Sequence, residues 1–141
     1  MRAMILLAHG SRREESAKEV KEMAKELENQ ALKKGQFDIV KPAFMQFCEP
    51  DFYQVVDEVI LNIEDNNSVE GSGEVEQKNI KPTNKKEIII LPYFISAGSH
   101  VAEDIPELIK NASAKYPDIS FKVTPHLGKF QGLAKLILEE T

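Results

Sequence analysis

Residues 3–11, AMILLAHGS, join an uninterrupted apolar run to a polar turn that contains glycine. A run without alternation is typical of a strand covered on both faces, as the strands of parallel sheets are. It is too short for a membrane span or for the apolar region of a signal peptide. We therefore predict that the chain forms a buried strand over 3–8 and leaves it at His9.

Three similar runs follow at 39–45, 87–92 and 119–124, and the segments between them have helical periodicity. The predicted inward-facing helical positions are all apolar: Ala17, Val20, Met23, Ala24, Leu27, Ala31; Phe52, Val55, Val56, Val59, Ile60, Ile63; Ile105, Leu108, Ile109, Ala112; Phe130, Leu133, Ala134, Ile137, Leu138. Alternating strands and helices predict βαβ units and a parallel sheet. With right-handed crossovers and the common strand order 2-1-3-4, this gives a three-layer αβα fold.

The helix ends carry sequence signals. Ser11 and Glu14 form an S-x-x-E pattern, which predicts a capping box at the start of the first helix. Pro50-Asp51 predicts the start of the second helix. The third helix is predicted over about 102–115, with Pro106 tolerated near its first turn.

The composition narrows the class of protein. The formal net charge is -5, which argues against general nucleic-acid binding, because phosphate contacts need a concentrated basic surface. Cys48 is the single cysteine, so no intrachain disulfide, CxxC pair or cysteine-based zinc site can form. A cytoplasmic setting without membrane contact is expected.

Residues 64–86 are strongly polar, which predicts a flexible insertion in a single domain spanning 1–141.

Ligands of open parallel sheets bind beyond the carboxyl ends of the strands, where the strand order reverses. In the predicted order the first and third strands are neighbours, so the loops after them flank this point. These loops contain His9-Gly10-Ser11 and Gly98-Ser99-His100. Topology therefore brings His9 and His100 to the expected site, and the glycines leave room beside them for a flat substrate.

The two histidines predict a metal site. Neutral imidazole is available at neutral pH as a ligand for Fe, Co, Ni and Zn. A pair of histidines forms an open, labile site, which suits a metal that is handed on better than a structural ion enclosed by four ligands. The alternative is that a strand-end histidine is a hydrogen-bonded structural residue. That role is expected for His126, in the loop after the fourth strand.

Neighbouring polar residues predict an anion site. Arg12 and Arg13 stand at the start of the first helix, where backbone N–H groups and the helix dipole favour a carboxylate or phosphate. Solvated ion pairs with the adjacent glutamates are an equally good interpretation.

Gln46, Glu49 and Asp104 lie near strand ends or helix starts and could act as ligand, base or orienting group. Helix capping is the commoner role for the two acids.

Five segments follow in order: LAHGSR (7–12), AFMQFCEP (43–50), PYFISAGSH (92–100), DIP (104–106) and PHLG (125–128). Together they resemble the sirohydrochlorin chelatases of the CbiX type. The HGS triplet alone is weak evidence for the family, whereas the ordered set of segments, with G-x-H-x-x-x-D-I-P, is specific to it. The resemblance covers nearly the whole chain apart from the polar insertion.

The resemblance implies a flavodoxin-like class II chelatase that inserts Co²⁺ or Fe²⁺ into sirohydrochlorin without ATP, in cobalamin or siroheme biosynthesis. Ni²⁺ is a further candidate ion, and no nucleotide is expected. The implied metal-binding and catalytic residues are His9 and His100. The substrate-binding residues expected beside them are Gly10, Ser11, Arg12, Arg13, Gly98 and Ser99. A one-domain chain resembles the short form, which assembles as a homodimer.

The chain departs from the family pattern at Gln46, where many relatives carry an acid. Glu49 or solvent is the expected substitute. Two other functions are alternatives to the chelatase. A flavodoxin-like metallochaperone or binding module would bind metal without altering a tetrapyrrole. A histidine phosphatase would need an arginine immediately before His9, and Ala8 occupies that position.

Overall fold

The computed structural model of the protein describes residues 1–71, 86–96 and 98–141. Strands and helices alternate along the chain. In order they are β1 (Arg2–Ala8), α1 (Glu14–Lys34), β2 (Ile39–Phe44), α2 (Phe52–Gly71), β3 (Glu87–Pro92), α3 (Ser99–Lys115), β4 (Ser120–Val123) and α4 (Leu133–Glu140), with a 3-10 helix at Leu127–Lys129. Each strand boundary lies within one residue of the predicted one.

The four strands form one parallel sheet in the order β2-β1-β3-β4. β1 is central, and its residue Ile5 is paired with Lys41 on one side and with Ile90 on the other. The predicted αβα fold with strand order 2-1-3-4 is therefore confirmed. The carboxyl ends of β1 and β3 lie side by side.

Both faces of β1 are buried, which explains its uninterrupted apolar run. Ile5, Leu6 and Leu7 are all 0% exposed. Ile5 and Leu7 pack into a core with residues of α2 and α3, whereas Leu6 packs into a second core with residues of α1. Burying each of these side chains stabilises the fold by about 1.5–3 kcal/mol.

The predicted capping box at Ser11 is wrong. α1 begins at Glu14, and its N-cap residue Arg13 makes no side-chain cap hydrogen bond. The Ser11 Oγ instead accepts a hydrogen bond from the N–H of Arg13 at 3.1 Å. The reason is that the backbone is still extended at Arg13, with φ -87° and ψ 125°, so Ser11 lies too far before the helix to cap it.

α2 begins as predicted, and it is this helix that has a capping box. The Asp51 Oδ1 accepts from the N–H of Gln54, and the Gln54 Oε1 accepts from the N–H of Asp51, both at 2.8 Å. At its other end α2 continues to Gly71 and so includes the first part of the polar insertion predicted at about 64–86. An established helix gains one backbone hydrogen bond per added residue and can extend without apolar side chains. Residues 72–85 of the predicted insertion lie outside the described residues.

α3 begins at Ser99, three residues before the predicted start, so Pro106 is its eighth residue and lies beyond the first turn. The helix forgoes one backbone hydrogen bond there because proline has no N–H. Ile105 and Ala112 are buried as predicted. The earlier start brings His100 into the helix itself.

The predicted burial of α4 is wrong. Phe130 precedes the helix, and Leu136, Ile137 and Leu138 are 51%, 52% and 74% exposed. Periodicity detects an apolar face but not its partner, and α4 contacts the 3-10 helix with none of its residues buried. Met23 of α1, also predicted to face inward, is 37% exposed. Among the helices of the described residues, none combines the length and the apolar character of a bilayer-spanning segment.

Candidate functional site

The two predicted metal ligands follow neighbouring strands. β1 pairs with β3, and just beyond the paired residues the N–H of Tyr93 donates to the carbonyl of Leu7 at 2.7 Å. His9 comes directly after β1, and His100 is the second residue of α3, which follows β3. Both residues therefore lie at the same edge of the sheet. The side chains of Ser99 and His100 lie outside the part of the chain that the structure describes.

The turn after β1 packs closely against the loop after β2. The N–H of Gln46 donates to the carbonyl of His9 at 3.1 Å, and Gly10 has a φ of +98°. A Cβ at Gly10 would overlap the carbonyl oxygen of Gln46. Only glycine combines this backbone conformation with this close approach. The contact between the two loops fixes the backbone of His9.

Cys48 joins the same two loops. Its thiol donates to the carbonyl of Ser11 at 2.9 Å, and its Sγ accepts from the N–H of Ser11 at 3.4 Å. Sulfur is a weak hydrogen-bonding partner, but here it satisfies both backbone groups of one residue. The sequence identified Cys48 only as a cysteine without a disulfide partner. Its contact with Ser11 depends on the tertiary fold, and no local pattern predicts it.

An aromatic ring connects His9 to His126. The Phe94 ring centroid lies 5.0 Å from that of His9, tilted by 45°, and 5.8 Å from that of His126, stacked at 19°. Gly128 allows the loop after β4 to approach, because a Cβ there would overlap the carbonyl oxygen of Ile95. His126 therefore lies one ring away from His9. Neither Phe94 nor this stack was predicted from the sequence.

A cavity of about 620 Å³ opens beside His9. Its described lining comes from the loops after β1 and β2 and from α2 and α3: His9, Met45, Gln46, Tyr53, Asp104, Glu107, Leu108 and Asn111. Positions 104, 107 and 111 share one face of α3, and position 100 precedes 104 by one turn on that face. Glu107 was not predicted, although its spacing of seven residues from His100 is the signal that would have found it.

Hydrogen bonds between α2 and α3 hold the wall of this cavity. The Asn111 Nδ2 donates to the Tyr53 hydroxyl at 3.0 Å. Farther along, Asp57 accepts hydrogen bonds from the hydroxyl of Tyr116 and, at 3.2 Å, from the ammonium of Lys115. The bond from Tyr116 lowers the pKa of Asp57 below its ordinary value, and the same bond raises the pKa of Tyr116.

The predicted anion-binding residues Arg12 and Arg13 do not belong to the described lining of this cavity. Arg13 is exposed at the N-cap of α1. The Arg12 guanidinium carbon lies 4.8 Å from the centroid of the Phe47 ring, on the loop after β2. Gly98 is the N-cap residue of α3 and has an extended backbone, with φ -77° and ψ 170°. The ring under Arg12 was not predicted.

Gln46 and Glu49, the two residues predicted to assist as ligand, base or orienting group, differ in position. Gln46 lines the cavity, whereas the described lining does not include Glu49, which is exposed and precedes a cis peptide bond to Pro50. Among the side chains that the structure describes, which do not include that of His100, no three of His, Cys, Asp or Glu form a group that could hold a metal ion.

The parallel sheet covered on both faces, with a histidine and a cavity at its switch point, defines an α/β fold of the kind whose ligands bind at the carboxyl edge of the sheet. The CbiX family model matches residues 3–66 and 74–141. The chain belongs to the CbiX family, as its sequence motifs predicted.

Similar proteins include chelatases of two metal specificities. The chain is 32% identical over 109 residues to a sirohydrochlorin cobaltochelatase of Methanococcus aeolicus, covering 77% of this chain and 59% of that protein. It is 29% identical over 125 residues to the chloroplastic sirohydrochlorin ferrochelatase of Arabidopsis thaliana, covering 89% of this chain and 44% of that protein. The match thus spans about three fifths of the first relative's length and less than half of the second's.

The fold also resembles a solved structure. A CbiX protein from Marinobacter aquaeolei VT8 superposes with a TM-score of 0.63, at 21% identity, over 99% of this chain and 91% of that chain. At this identity the likeness supports the fold alone. The αβα arrangement is therefore shared across substantial sequence divergence.

We expect Gly10→Ala to lower the free energy of unfolding by about 2 kcal/mol or more, because it combines a left-handed backbone with a backbone overlap. Gly98→Ala is the matched control, since a Cβ at Gly98 meets nothing within 4 Å. It should change stability by less than about 0.5 kcal/mol. Urea unfolding followed by circular dichroism measures both variants, and equal stabilities would contradict this account of the turn.

Proposed function

We propose that this protein inserts a divalent metal ion into sirohydrochlorin. The observation that carries the proposal is the cavity that His9 lines together with Asp104 and Glu107. Membership of the CbiX family and the likeness to chelatases acting on sirohydrochlorin support the choice of substrate. The reaction needs a ligand that delivers the metal and groups that remove protons from the macrocycle, and such groups line this cavity.

His9 and His100 are the proposed metal ligands. Two imidazoles hold an ion while leaving the remaining coordination positions to water and then to the pyrrole nitrogens. The ion is a substrate of the reaction, so a labile site suits it better than an enclosed one. Imidazole ligation suits Co²⁺, Fe²⁺ and Ni²⁺, and the relatives include both a cobaltochelatase and a ferrochelatase. We propose Co²⁺ or Fe²⁺ as the physiological ion, inserted without a nucleotide.

Proton removal is assigned to the cavity wall. Insertion releases two pyrrole N–H protons, and Gln46 cannot accept one as a carboxylate can. Asp104 and Glu107 line the same cavity on one face of α3. We assign the missing carboxylate function to these two residues, in place of the Glu49 expected from the sequence. An imidazole that has released the metal is the second acceptor.

A homodimer is the proposed working form. The cavity is an open groove between two helices and two loops, and a second copy would enclose a bound macrocycle further. A cytoplasmic setting is proposed because the single cysteine, Cys48, serves as a hydrogen-bonding group to Ser11. A mass in solution twice that of the chain is the expected result of light scattering.

Mixing the purified protein with metal-free sirohydrochlorin and Co²⁺, Fe²⁺ or Ni²⁺ tests the activity. We expect the absorbance change of insertion to accelerate over a protein-free control with at least one ion. A metallochaperone or passive binding module would bind the ion but leave the rate of the spectral change at its control value. Absence of acceleration with all three ions would therefore reject the chelatase.

Amide substitutions test the two carboxylates. Asp104→Asn and Glu107→Gln together should reduce the insertion rate by about 100-fold, the scale of general acid–base catalysis, while metal binding persists. Glu103→Gln is the control, because Glu103 is exposed on the same helix outside the described cavity lining. A wild-type rate in the double variant would assign proton removal to another group or to solvent.

A further inference from the structure

We propose that Phe47 and Arg12 form a single recognition surface for the macrocycle, in which the Phe47 ring contacts the flat ring system and the Arg12 guanidinium binds a peripheral carboxylate. This inference rests on the proposed function, because it names the surface that holds the proposed substrate beside His9. It adds an aromatic residue that the sequence motifs do not assign to any role.

Phe47 has an unusual backbone conformation. Its φ is +67°, and it is the one non-glycine residue with a positive φ among the described residues. A bulky residue in this region has a strained backbone unless surrounding contacts compensate. Core packing does not compensate here, since Phe47 is 56% exposed. The fold therefore keeps Phe47 in a strained backbone conformation with its aromatic ring exposed to solvent, which is the pattern of a residue kept for ligand contact.

The strain is maintained by hydrogen bonds on both sides of Phe47. Before it, the N–H of Gln46 donates to the carbonyl of His9 at 3.1 Å. After it, the N–H of Cys48 donates to the carbonyl of Gln46 at 2.8 Å, and the Cys48 thiol donates to the carbonyl of Ser11 at 2.9 Å. These bonds tie the loop to the turn that contains His9. Phe47 is consequently fixed in position relative to the proposed metal ligand.

Arg12 completes the surface. Its guanidinium carbon lies 4.8 Å from the centroid of the Phe47 ring, within the range of a cation–π contact. Stacking on the ring immobilises the planar guanidinium and leaves the N–H donors in its plane available, in the fork geometry that binds a carboxylate. A flat ring system that carries carboxylates at its edge presents both complementary groups. The pair therefore fits the chemistry of a polycarboxylate tetrapyrrole.

The location of the pair supports the same ligand. Phe47 follows Gln46, which lines the 620 Å³ cavity together with His9. Arg12 follows Ser11 in the turn that begins at His9. The two residues lie on the loops that meet at His9, so a macrocycle lying over His9 would come within reach of both side chains. The pair would orient the macrocycle before the metal is transferred.

Phe47→Gly separates binding from stability. Glycine adopts a positive φ without strain, so we expect this variant to be as stable as the wild type or more stable in urea unfolding. The same variant should bind metal-free sirohydrochlorin about tenfold more weakly, which corresponds to about 1.4 kcal/mol, because it lacks the ring. Macrocycle fluorescence measures binding without interference, since the chain contains no tryptophan. A structural role for Phe47 would give the opposite pattern, with lower stability and unchanged binding.

Arg12→Gln tests the carboxylate arm. It should weaken binding of sirohydrochlorin about fivefold but leave binding of its fully esterified form unchanged, because the ester has no charge for the guanidinium to bind. The double variant with Phe47→Gly should lose less than the product of the two single losses, because the residues act as one surface. Lys18→Gln and Leu136→Ala are controls for charge and for exposed apolar area, as both residues are exposed and lie outside the proposed site.

The outcomes separate this inference from the proposed function. In the first outcome the wild type inserts metal, but Phe47→Gly and Arg12→Gln both bind sirohydrochlorin within twofold of the wild type. That outcome would overturn the recognition surface alone. Wild-type protein that binds the macrocycle through these residues without accelerating insertion would leave the surface standing and reject the chelatase. Failure of the wild type to bind sirohydrochlorin would overturn both.

Discussion

The central position of β1 is the constraint on which the rest of the structure depends. β1 is paired with β2 on one side and with β3 on the other, and helices pack on both faces of the sheet, so Ile5, Leu6 and Leu7 are inaccessible to solvent. The same pairing makes the carboxyl end of β1 the point where the strand order reverses. His9 occupies that point because it is the first residue after the strand.

The neighbourhood of His9 combines rigid backbone with exposed side chains. Gly10 allows two loops to meet, and hydrogen bonds from Gln46 and Cys48 lock them together. Side chains that emerge from this frame, such as that of Phe47, are held in position without being buried. Preorganisation of this kind would lower the entropic cost of placing the proposed metal ion and macrocycle together. The proposed reaction takes up a metal ion and transfers it to a macrocycle. A site with a fixed backbone and exposed side chains suits that transfer.

The sequence predicted the sheet, its strand order and the shared edge of His9 and His100, because these follow from local periodicity combined with chain topology. It did not predict the contacts of Cys48 with Ser11 or of Phe94 with His126, since each joins residues that are far apart in the chain. α4 was predicted to be buried because it has an apolar face. Such a face shows that a helix could pack against the core, but it does not show that the helix does so. Ser11 was misassigned as a cap because the S-x-x-E pattern does not reveal where the turn at Gly10 ends.

The most direct test of the metal-delivery site is a Co²⁺ titration of the wild-type protein, His9→Ala and His100→Ala, followed by calorimetry and by X-ray absorption at the cobalt edge. The wild type should bind one ion per chain with imidazole nitrogens among its ligands. Each variant should remain folded and bind Co²⁺ at least about tenfold more weakly, because a single imidazole is left. Wild-type affinity and an unchanged ligand shell in either variant would contradict a site built from this pair.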